Sequence, residues 1–127
     1  MTIDNYFIET EKIISDFDIV ISQKIEKKKT DDNFGILKGL LYFEKNKLDF
    51  IEVIRINSSN IIKIKYKYHF MTNKNKMIFR YDNVKHHQQI STFPHHKHLP
   101  NDIISSIEPN FLTILLEIKE YQKNEFK

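Results

Sequence analysis

Ile62-Lys63-Ile64-Lys65-Tyr66-Lys67-Tyr68-His69-Phe70 alternates apolar and polar residues without a break, the period of two that a strand with one buried face imposes. Ile62, Ile64, Tyr66, Tyr68 and Phe70 are expected to face a core, with Lys63, Lys65, Lys67 and His69 on the other side. Such a strand needs neighbours. On its N-terminal side Asn57 to Asn60 reads as a turn, preceded by a strand carrying Leu48, Phe50, Ile54 and Ile56. Glu44 to Lys47 is a further polar turn, and Phe34 to Phe43 a β-favouring apolar run; the two runs are expected to pair as an antiparallel hairpin whose turn lacks glycine. Gly35 and Gly39 fall within the run, where a bulge or a close backbone approach is tolerated. Asp18 to Lys29 reads as a first strand with a solvated end. After Asn73 to Lys76, Met77 to Asp82 returns as a fifth strand, placing Met77, Phe79 and Tyr81 opposite Ile78, Arg80 and Asp82.

The ends of the chain read as helices. Ile3, Phe7, Ile14 and Phe17, widened by Tyr6 and Ile13, form one stripe over Thr2 to Phe17 with Thr2 as cap. Phe111 to Lys123 follows a break at Pro109. Between Asn83 and Pro100 the periodicity fails, so this stretch is expected as a long polar surface segment. The fold class is therefore α+β: a curved antiparallel sheet of about five strands with N-terminal and C-terminal helices, in one domain spanning residues 1–127.

Composition narrows the chemistry. The chain has 127 residues, 40% of them hydrophobic, with ten Phe and six Tyr, enough apolar volume for a core without a staple. Cysteine is absent, which excludes disulfides, thiol nucleophiles and Cys-based metal sites. With two glycines no phosphate-cradling glycine loop exists. No apolar run approaches the roughly 20 residues of a membrane span, so a soluble, cytoplasmic chain without membrane association is expected. The formal charge of +3 permits a nucleic-acid partner without requiring one.

All six histidines lie between residues 69 and 98. Imidazoles exchange protons near neutral pH, and Arg or Lys can hold a phosphate that gains charge during attack, so the mixture suits phosphodiester cleavage without a thiol or metal. The candidate catalytic residues are His86, His87, His95, His96, His98, Arg80 and Asp82. Arg80 and Asp82 share a strand face: Arg80 grips phosphate or pairs with Asp82, and Asp82 pairs with it or orients a histidine ring. Lys63, Lys65, Lys67, His69, Phe93 and Lys97 are the candidate substrate-binding residues. Phe93 either anchors its loop with Pro94 or stacks a base, and the lysine strip either attracts RNA, solubilises one face or meets an acidic partner. The leading reading needs no cofactor and no metal. The alternatives are a metal-dependent nuclease, using several imidazoles with Asp82 or Glu108, and a non-enzymatic module that binds nucleic acid or protein.

Lys65-Tyr66-Lys67-Tyr68-His69-Phe70, Phe79-Arg80-Tyr81-Asp82-Asn83, the His86-His87 pair and Ser91 through His98 together resemble the TumE family of toxin components from prokaryotic toxin–antitoxin systems. The specific signal lies in residues 66 to 98. Val84 and Lys85 depart from the alanine and proline common there in family-like sequences, which is expected to loosen the turn before His86. The resemblance implies a growth-inhibiting toxin with a cognate antitoxin protein as partner and RNA as the substrate of a ribonuclease activity. A homodimer through a sheet edge is also open.

Overall fold

Thr2 caps the first helix, its hydroxyl oxygen accepting a hydrogen bond from the Asn5 amide at 3.2 Å. The helix, α1 (Ile3–Ser15), buries Ile3, Phe7, Thr10 and Ile14 on one stripe, as the spacing of its apolar residues predicts. The computed structural model describes residues 1–85 and 94–125. After α1 come β1 (Ser22–Asp31), β2 (Phe34–Phe43), β3 (Asn46–Asn57), β4 (Asn60–Thr72), β5 (Met77–Asp82), β6 (His96–Leu99), β7 (Asp102–Ser105) and α2 (Phe111–Glu125). The strands lie in sequence order in one seven-stranded sheet, every neighbouring pair antiparallel.

The α+β class and both terminal helices agree with the sequence reading, but among the described residues the sheet has seven strands, not about five, and is not strongly curled. The added strands, β6 and β7, are four residues each. β6 falls where periodicity fails because a run of four residues carries barely one full alternation, and its helix-side residues are the charged Lys97 and the apolar Leu99; β7 lies beyond Pro100, in a stretch equally short.

Both helices pack on one face of the sheet. Phe111 of α2 meets Phe50 and Tyr68 edge-on, at ring separations of 4.8 and 5.5 Å, and Tyr121 meets Phe70 at 5.4 Å. Gly35 admits α1: a Cβ there would lie 2.7 Å from Ile3 Cγ2 and 3.0 Å from Phe7 Cζ. The hairpins turn without glycine by placing Lys45, Ser58 and Asn75 at φ of 65°, 57° and 66°. No helix among the described residues is long and apolar enough to cross a membrane.

One feature of β4 overturns its expected alternation. The β3–β4 ladder pairs Val53 with Lys65 and then Ile54 with Lys63, leaving Ile64 as an extra residue. This bulge reverses the faces before it. Lys63 turns into the helix side with a side chain only 7% exposed, while Ile62 and Ile64 face solvent. Asn83, just beyond β5, holds the irregular stretch: its Oδ1 accepts from the Tyr66 amide and its Nδ2 donates to the Ile64 carbonyl, both at 3.0 Å.

Candidate active site

The pairing of β4, β5 and β6 assembles the site. His69 lies opposite Arg80, and Arg80 opposite His98; one step along, Lys67 lies opposite Asp82 and Asp82 opposite His96. Period-two alternation puts all six on the sheet face away from the helices. The same alternation divides the Pro94-to-Leu99 segment, sending His96 and His98 to this face and His95 and Lys97 to the other.

Asp82 is the hub. Its Oδ1 lies 2.7 Å from His96 Nε2 and accepts from the Val84 amide at 3.1 Å. Its Oδ2 accepts from Arg80 Nε at 3.0 Å and lies 3.3 Å from His98 Nε2. Arg80 also reaches His98 Nε2 at 3.2 Å. A guanidinium can only donate, so that ring nitrogen presents its lone pair. His96 Nδ1 lies 2.9 Å from the Pro94 carbonyl, which can only accept, so Nδ1 carries a proton. Asp82, His96 and His98 are buried, whereas the Arg80 side chain is 33% exposed.

His69 completes the row. Burial, followed by the cations Arg80 and Lys67, pushes its pKa below the ordinary imidazole value. Its Nε2 is buried without a hydrogen-bond partner. Lys67 pairs with Asp49 at 3.3 Å on the same face, and Lys65 shares that face by register.

The remaining sequence candidates lie elsewhere. Lys63 is on the helix side, correcting its expected place in the lysine strip; it donates to the Tyr68 hydroxyl at 2.7 Å and to the Pro109 carbonyl. His95 stacks on Tyr66, with Nδ1 2.9 Å from the tyrosine hydroxyl. Lys97 lies over the Phe79 and Tyr81 rings and pairs with Glu117 of α2 at 2.7 Å. His86, His87 and Phe93 lie outside the described residues. Among the described residues the one grouping suited to a metal ion is Asp82, His96 and His98; Glu108 does not join it.

Two groups escaped the sequence reading. Glu52 is fully buried beneath the helices, accepting from Tyr6 at 2.7 Å and from Tyr68. Its place among the inward residues Leu48, Phe50, Ile54 and Ile56 was a readable signal that a buried acid required partners. The Pro94 carbonyl that fixes the His96 tautomer had no such signal, because a backbone acceptor is invisible in side-chain chemistry.

A sheet with both helices on one face and a carboxylate, imidazole and guanidinium cluster on the other defines a small α+β protein equipped for proton transfer or cation coordination. Residues 10–122 match the family described as Toxin TumE. The chain belongs to that family. No curated protein and no solved structure matches it.

Proposed function

We propose that the protein is the growth-inhibiting toxin of a toxin–antitoxin pair and cleaves RNA in the cytoplasm at the site built around Arg80, with a cognate antitoxin protein as its partner. The observation that carries the reading is the row His69, Arg80, His98 across three adjacent strands: a partly exposed cation flanked on both sides by imidazoles. Arg80 suits the phosphate better than Lys97, whose ammonium is committed to Glu117 on the opposite face.

In this mechanism Arg80 turns from His98 to the scissile phosphate. His69, neutral at physiological pH, takes the proton of the ribose 2'-hydroxyl as that oxygen attacks phosphorus. His98, released from Arg80, takes up a proton from solvent beside Asp82 and delivers it to the departing 5'-oxygen. The products are a 2',3'-cyclic phosphate and a 5'-hydroxyl. Lys65 and Lys67 extend the positive face along the strand toward the flanking phosphates.

The test is incubation of the antitoxin-free chain with RNA in chelator, followed by mapping of both ends. Cyclic phosphate ends are expected, with Arg80→Ala and His98→Ala each slowing cleavage by about 100-fold or more. RNA that is bound yet left uncut would overturn the cleavage reading.

A further inference from the structure

We propose that Asp82, His96 and His98 form a binding site for one divalent first-row transition ion, which enters in exchange for the Arg80 guanidinium. The proposal does not depend on RNA being the substrate. It rests on how closely three donor atoms gather. With Nδ1–H donated to Pro94, His96 offers Nε2 as its ligand atom, 2.7 Å from Asp82 Oδ1. His98 Nε2 lies 3.3 Å from Asp82 Oδ2, and the Arg80 guanidinium is the cation that touches both. Arg80 thus supplies positive charge at the edge of the space where one divalent ion would sit.

Geometry and charge both allow the exchange. Donor atoms around a tetrahedral ion with bonds of about 2.1 Å are roughly 3.4 Å apart. The ligand atoms of Asp82, His96 and His98 all lie within 4.8 Å of one another, so small side-chain shifts bring them to those spacings. The ion takes over the pairing with Asp82 that the guanidinium holds, and Arg80, already partly exposed, moves toward water. Two imidazoles with one carboxylate select a first-row transition ion over magnesium or calcium and leave coordination positions open. The Pro94 carbonyl is the outer partner that keeps the His96 lone pair on Nε2, as outer acceptors do for metal-bound imidazoles.

Arg80 makes the proposal separable from ordinary histidine affinity, because it competes with the ion. Co2+ is titrated into the full-length protein while visible absorption is recorded, with Zn2+ binding followed by calorimetry. One ion per chain is expected. His96→Ala and His98→Gln should each weaken binding by about 100-fold, and Arg80→Gln should strengthen it by about 10-fold. Thermal melting without metal identifies the variants that remain folded. Three results would each overturn the site: no binding by either the parent protein or Arg80→Gln at about 1 mM ion, unchanged or weaker binding in Arg80→Gln, or parent-like binding in folded His96→Ala and His98→Gln.

Discussion

Lys63 and Glu52 form a buried polar knot beneath the helices. Their charged atoms lie 3.9 Å apart and are bridged by the Tyr68 hydroxyl, which receives from the lysine and donates to the carboxylate. Burial pulls the Lys63 pKa down, with the Glu52 charge opposing it. Removing one member strands the other away from water, whereas replacing both leaves an apolar contact. Lys63→Met or Glu52→Leu alone should each cost about 3 kcal/mol, and the double variant should cost less than either one, as read from urea unfolding. Additive losses would show that the two groups act independently. Glu52 was legible as an inward residue of β3, but Lys63 was not: Ile-Lys-Ile-Lys reads identically whichever face the lysines take, and the extra residue that decides it changes no composition.

Strand and helix docking depends on small departures from regularity. At β2, the space α1 needs is provided by the missing side chain of Gly35. Gly35→Ala should lower stability by about 1–3 kcal/mol, because the added methyl presses on Ile3 and Phe7. Faster amide exchange in α1 than in β3 would trace the loss to that contact; equal change in both would not. The N-terminal helix and the β2–β3 hairpin were legible because long apolar runs and polar turns agree there. The β5–β6 pairing was not, since it joins polar residues through backbone bonds, and backbone pairing leaves little trace in side-chain order. The sequence therefore drew attention to the His95–His98 segment without separating its two faces.

Five tyrosines, Tyr6, Tyr66, Tyr68, Tyr81 and Tyr121, have pKa values raised above the ordinary 10.0, primarily by burial. Glu52 adds to the effect at Tyr6 and Tyr68, Glu108 at Tyr66, and the hydrogen bond to Glu117 at Tyr81. Above pH 10 the unfolded chain gives up phenolic protons that the folded chain retains. It then binds fewer protons than the native state, so stability falls as pH rises. Lys63 has the opposite sign, since its folded pKa is lowered, but its contribution ends near the ordinary lysine value of 10.5. Urea unfolding midpoints should therefore decline from about pH 10.5 upward, each tyrosine contributing up to about 1.4 kcal/mol per pH unit. Tyr81→Phe should make the decline shallower; a flat profile to pH 12 would contradict the buried hydroxyl assignments.

The sheet also works as a partition, with consecutive residues of β6 living in separate compartments. Odd-numbered His95 and Lys97 belong to the aromatic and helical side, even-numbered His96 and His98 to the Asp82 side. A one-residue slip of this strand against β5 would exchange the two sets while preserving every amino-acid type around it. For this segment, spacing carries as much meaning as identity: the chain can tolerate a changed letter more readily than a miscounted one.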